Sequence, residues 1–242
     1  MISNSFVRSE ASFLYHSASL CREAKEGSDG AWQIAPYMCS IDYTPDCLEV
    51  LAELKQMLAE KFPVLSHFGE RRADRAYGSN SGSITKPNYV SRIKKFPINE
   101  VNQHNEILET ARREPSSGGL VFSIFNPSDL VEKKRPGFVP CLIAGSFLVH
   151  EGQLQLNAFF RSQSVVEFGL FDLEFLRRFQ IDTAERINNH SRKKIAVGSL
   201  NIQFGRIIIQ RRLARNSNGF IRRQDIIDDW ISNLYEFCLK HD

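Results

Sequence analysis

The sequence predicts an α+β fold, a mixed β-sheet with helices packed against it. Apolar runs Cys141–Val149 and Gln153–Phe160 flank His150-Glu151-Gly152, the pattern of a strand hairpin. Apolar residues recur at helical spacing in four long segments elsewhere. Strands and helices are interleaved in an order that reads as mixed α+β. At 242 residues and 42% hydrophobic, the chain is expected to form one domain over residues 1–242.

Taken in order, the first thirty residues mix Ser, Ala and charges with Phe6, Phe13, Leu14 and Leu20, then break at the turn-rich Glu26-Gly27-Ser28-Asp29-Gly30. Residues 31–38 read as a short strand. From Asp46 to Phe62, Leu48, Leu51, Leu54, Met57 and Leu58 fall at helical spacing, and Pro63 suits the helix end. Residues 77–89 are rich in Gly, Ser and Asn and predict a surface loop. An amphipathic helix is expected from Ile98 to Arg113, then a buried strand at 120–125 bounded by Asn126-Pro127. Beyond the hairpin, Leu173–Arg186 reads as a helix, Ile195–Ile209 as one or two strands, and Gln224–Leu239 as a closing helix.

Composition narrows the function classes. A net charge of +3 does not identify a nucleic-acid binder. The basic stretch 206–215 and Arg222-Arg223 leave nucleic acid a weak possibility, because Ile207-Ile208-Ile209 within it reads more simply as a strand. Cys21, Cys39, Cys47, Cys141 and Cys238 are odd in number and form no CxxC pair, which points to reduced thiols in the cytoplasm and to no metal site. No run reads as a signal peptide or a bilayer span.

The chemistry-bearing pattern is Pro140-Cys141 opening a strand, Phe160-Arg161-Ser162 closing its hairpin partner, and Phe171-Asp172 at the next helix. Tyr77-Gly78 and Pro115-Ser116 lie upstream. Each residue has a plain structural reading: Cys141 as a buried small hydrophobe, Arg161 as a salt-bridged strand end, Ser162 as a turn or cap, and Asp172 as an N-cap. Together and in this register, over about residues 70–210, they resemble the thymidylate synthase and cytidylate hydroxymethylase family, nearest its short archaeal-type members.

The resemblance implies a thymidylate synthase-like fold and one-carbon transfer to C5 of a pyrimidine nucleotide. Cys141 would attack C6, since a pyrimidine is inert at C5 until a nucleophile adds there. A thiol with a free pKa of about 8.5 needs a nearby cation to reach its thiolate, and Arg161 is the candidate. Arg161 and Ser162 would bind phosphate, Asn201 and Gln203 the sugar, and Tyr77 the substrate. Asp172 stands where the synthases have a uracil-reading asparagine; an aspartate there accepts from the cytosine amino group, so cytosine is favoured. Methylenetetrahydrofolate is the implied carbon donor, and a homodimer packed through its sheets the implied assembly.

Departures bear on activity. Gly118-Gly119 replaces the family's phosphate-clamping arginine pair, Ser164 its folate-holding aspartate, and Asn201-Ile202-Gln203 its His-x-Tyr; no glutamate aligns with its early proton-handling one. The alternative reading is therefore a non-catalytic member serving as a nucleotide-binding or protein-interaction subunit.

Overall fold

The computed structural model describes residues 3–24, 26–27, 30–77, 88–131, 139–191, 194–216 and 219–241. In chain order its elements are β1 (Ser3–Val7), α1 (Glu10–Glu23), β2 (Trp32–Ile34), β3 (Tyr37–Ile41), α2 (Cys47–Lys61), α3 (Pro63–Tyr77), α4 (Tyr89–Lys94), α5 (Gln103–Arg113), β4 (Val121–Ser123) and α6 (Ser128–Val131). There follow β5 (Leu142–His150), β6 (Gln153–Phe160), β7 (Gln163–Ser164), a π-helical turn (Val165–Gly169), α7 (Leu170–His190), β8 (Ala196–Phe204), β9 (Ile207–Ile209), β10 (Arg212–Asn216), β11 (Gly219–Arg222) and α8 (Arg223–His241).

The predicted mixed sheet is present, in the order β1-β3-β8-β6-β5-β4. β1 with β3 and β6 with β8 are parallel, and the other neighbours antiparallel. A second sheet, β2-β9-β7, lies beside it. Glu151 and Gly152 have φ of 51° and 77°, the left-handed pair that a tight two-residue hairpin turn requires.

Alternation then assigns the faces. Leu154, Leu156, Ala158 and Phe160 on β6, with Leu200, Ile202 and Phe204 on β8, point into the core. Asn157, Phe159, Asn201 and Gln203 point out. α7 packs on the inner face through Leu173, Leu176, Phe179 and Ile187. Its fully buried Arg177 donates to Glu10 Oε1 at 2.7 Å, Gln180 Oε1 at 2.9 Å and Asp42 O at 3.0 Å, tying α7 to α1 and to the chain after β3. Removing one partner of such a buried pair costs about 3–5 kcal/mol.

Several expectations are corrected. Residues 31–38 form parts of two strands in different sheets, since Pro36 between them has no N–H for a ladder. The helix expected from Ile98 starts at Gln103: Asn99 and Glu100 have positive φ, and Asn102 caps the helix by accepting from Asn105 N at 3.0 Å. α1 was not anticipated. Neither was α3, which opens with Pro63, a residue suited to a first helical position. The loop expected over 77–89 lies outside the described residues from 78 to 87, Gly78 included.

Gly69 sets how closely α3 approaches α7. A Cβ there would sit 2.5 Å from Phe171 Cε2 and 2.9 Å from the backbone oxygen of Glu167. Gly69→Ala gains about 1 kcal/mol of helix propensity, but the crowding costs about 1–3 kcal/mol because a backbone oxygen cannot rotate away. We expect net destabilisation, read as a lower urea midpoint at unchanged m.

Candidate active site

Cys141 immediately precedes β5 and is partly exposed. Its N–H and that of Leu142 donate to Tyr89 Oη at 3.2 and 3.4 Å. Tyr89 is buried at the start of α4, and burial pushes its hydroxyl pKa up. Asn88 caps that helix by accepting from Ser91 N at 2.7 Å, and its amide donates to Arg75 O at 3.1 Å. The cysteine's backbone is thereby fixed to both α3 and α4. Sequence reading missed Tyr89, whose role depends on a contact 52 residues away.

Arg161 closes the hairpin as expected from its register. Its N–H donates to Cys141 O at 2.9 Å, while Nε and Nη2 donate to Pro140 O and Val139 O at 2.9 and 2.8 Å. The guanidinium is thus fixed on the two residues before the cysteine. Among the described residues it has no acidic partner, so its charge is not that of a salt-bridged strand end.

Cys141, Asp172 and Tyr77 line one cavity of about 130 Å³, together with Tyr89, Pro140 and Arg72. Ligand pockets commonly reach about 300–1,000 Å³, so this one admits a ring-sized part of a ligand and leaves the rest outside. Asp172 is only 6% exposed. It is not the N-cap considered from the sequence: α7 begins at Leu170 after a π-helical turn, which puts Asp172 inside the first turn. Its carboxyl has no hydrogen-bond or ion-pair partner among the described residues, and burial raises its pKa well above the usual carboxylate range. A buried acid with no protein partner, facing a cavity beside a thiol, is the pattern of a ligand-reading group.

Tyr77 stacks on Phe175 at 4.6 Å and meets Tyr89 edge-on at 5.2 Å. With Ala73 it also lines a second, larger groove of about 660 Å³. Phe171, Phe175 and Phe179 give that groove apolar rings, and Lys55 and Arg178 give it cations. Next to it, Ser164 donates to Glu167 at 2.6 Å, and burial raises the Glu167 pKa.

Other predicted residues lie elsewhere. Ser162 is buried and accepts from Arg206 Nε at 3.3 Å, because the chain after Phe160 turns into the second sheet. Asn201 and Gln203 line a groove on the outer face of the large sheet, since Ile202 and Phe204 fill the core side. Asn201 accepts from Ser40 Oγ at 2.7 Å and donates to Asn157 Oδ1 at 3.1 Å. None of the three lines the Cys141 cavity, and neither does Arg161, whose guanidinium is engaged by the carbonyls of Val139 and Pro140. Gly118 and Gly119 are exposed in the turn before β4. Among the described residues no His, Cys, Asp and Glu cluster is arranged to hold a metal ion.

Comparison with known proteins identifies the family. The profile of the family described as Thymidylate synthase matches residues 52–173, about half of the chain and a stretch containing Cys141, Arg161 and Asp172. A protein of Methanocaldococcus jannaschii, provisionally named a thymidylate synthase, is 26% identical over 132 residues, covering 51% of this chain and 59% of that relative's length. The match therefore spans less than two thirds of that relative.

Proposed function

This chain belongs to the thymidylate synthase family, and on that premise we propose that it transfers a one-carbon unit to C5 of a pyrimidine nucleotide, with cytosine the favoured base. One observation carries the reading: Cys141 and the partnerless, buried Asp172 face the same ring-sized cavity.

The Cys141 sulfur donates a lone pair to C6, forming the C6–S bond and moving the C5=C6 π pair onto C5. C5 would then bond the one-carbon unit; loss of the C5 proton, with the carrier leaving on the electron pair of its own bond to that carbon, would give an exocyclic methylene. Water, for a hydroxymethyl product, or a hydride from the carrier, for a methyl product, would add there, restoring the ring double bond as the thiolate is expelled. Arg161, fixed at the carbonyl oxygens of Val139 and Pro140, favours the thiolate electrostatically. Asp172 pairs with the base edge and holds C6 towards the sulfur.

The larger groove offers aromatic side chains for a flat heterocycle such as that of methylenetetrahydrofolate, but its cations Lys55 and Arg178 both pair with Glu174, at 3.9 and 2.8 Å, and Glu70, Asp74 and Asp182 also line it, so an acidic tail would meet carboxylates there. When bound, that cofactor supplies the one-carbon unit. Ser164 and Gln203, where the family has an aspartate and a tyrosine, favour a transfer other than ordinary thymidylate synthesis.

A homodimer fits the outer sheet face, where Met38, Val121, Leu148 and Phe159 are exposed large hydrophobics. Asn201 and Gln203 share that face, so sugar contacts from them belong to the dimeric reading. The cysteines form no disulfide among the described residues, which agrees with a cytoplasmic protein, and among those residues no helix is long and apolar enough to cross a membrane.

A non-catalytic nucleotide-binding member is the second reading, favoured by the glycines at 118 and 119. Product analysis separates the two. The full chain is incubated with methylenetetrahydrofolate and CMP, dCMP, UMP or dUMP, and the nucleotides are examined by mass spectrometry. We expect a C5-hydroxymethyl or C5-methyl product, larger from the cytosine nucleotides. Unchanged nucleotides with measurable binding would favour the second reading.

A further inference from the structure

Arg72 sits on α3, the helix not foreseen from sequence, and lines the cavity that also holds Cys141 and Asp172. Its guanidinium lies over the Phe68 ring at 4.8 Å and the Phe168 ring at 5.7 Å. Contacts of this kind fix the plane of the group and engage its faces, leaving its N–H edge to bond elsewhere. Among the described residues that edge has no hydrogen-bond or ion-pair partner. Glu167 feels its charge from outside ion-pair distance and is itself bonded by Ser164 at 2.6 Å. Asp172 is the one carboxyl among the residues lining the cavity, and Arg72 and Arg75 both line it as well.

Accepting the pyrimidine-nucleotide reading above, we infer that Arg72 binds the substrate's phosphate, replacing within this chain the arginines missing at Gly118 and Gly119. The geometry favours an anion that presents two adjacent acceptor oxygens to the N–H edge, as a phosphate does. A cavity of about 130 Å³ leaves the charged end of a nucleotide at its mouth, where a pre-oriented guanidinium makes paired, charge-assisted hydrogen bonds without first losing side-chain freedom. Arg72 is exposed, so its replacement leaves the core intact.

The test is calorimetric titration of the full chain with CMP and with cytidine, using wild type, Arg72→Gln and Arg72→Lys. Wild type is expected to bind CMP about tenfold or more tighter than cytidine. Arg72→Gln should lose that preference with cytidine affinity unchanged, and Arg72→Lys should keep only part of it. A wild type that binds both ligands equally, or an Arg72→Gln variant that keeps the full preference, overturns the assignment to Arg72 and leaves the nucleotide reading standing. Failure of the wild type to bind either ligand overturns both.

Discussion

Replacing Cys141 by alanine should abolish covalent capture of a 5-fluorinated cytosine nucleotide and lower turnover by about a thousandfold or more, the scale on which loss of a nucleophile is felt. Fluorine at C5 cannot depart as a cation, so the adduct formed by sulfur at C6 and the one-carbon unit at C5 persists. Intact-mass spectrometry of wild type with 5-fluoro-dCMP and methylenetetrahydrofolate should show it; Cys141→Ala should not. Stability should barely change, because Cys141 is partly exposed and its backbone N–H still reaches Tyr89. Were Cys141 only a packing residue, the effects would be reversed, with stability reduced and capture or turnover unaffected.

The second large effect is expected at Asp172. Burial raises its folded pKa above the ordinary 3.8. Between those two values the folded chain holds a proton that the unfolded chain has released, so stability falls as pH rises through that window and stays lower above it. Asp172→Asn removes the penalty. At pH above the folded pKa it should raise the melting temperature, by about 2–4 °C for each kcal/mol recovered. A helix cap would respond oppositely, since loss of the carboxyl would destabilise the helix.

Base binding follows from the same titration. A protonated Asp172 carboxyl donates to cytosine N3 while accepting from the amino group; ionisation removes that donor and sets a negative charge against the N3 lone pair. Affinity for the cytosine nucleotide should therefore fall as pH rises and Asp172 ionises, and in Asp172→Asn it should lose that pH dependence. Titration with dCMP across pH measures both proteins; an affinity independent of pH and of the substitution would remove Asp172 from base recognition.

How much of this was legible in the sequence depended on range. The hairpin was readable because Glu151-Gly152 and the alternation of β6 are local signals. The stretch that contains Cys141, Arg161 and Asp172 was readable through its register with a known family. α3 was not: in PVLSHFGERRADRAY only Leu65 and Gly69 are buried, so its apolar stripe is too short to announce a helix, and Arg72 went unnoticed with it. Asn201 and Gln203 were placed at the sugar because motif position says nothing of sheet face; that depends on β8 pairing with both β3 and β6. Arg177 offered no local signal either, since its partners come from α1 and from the chain after β3.

Exchange of the pyrimidine C5 hydrogen into deuterated water tests the central claim most directly. It reports addition of the thiolate at C6, whatever the carbon donor. Proton NMR of CMP, dCMP, UMP and dUMP with wild type and tetrahydrofolate should show exchange on the cytosine nucleotides and none with Cys141→Ala. Folded wild-type protein that catalyses no exchange on any of the nucleotides would contradict the account.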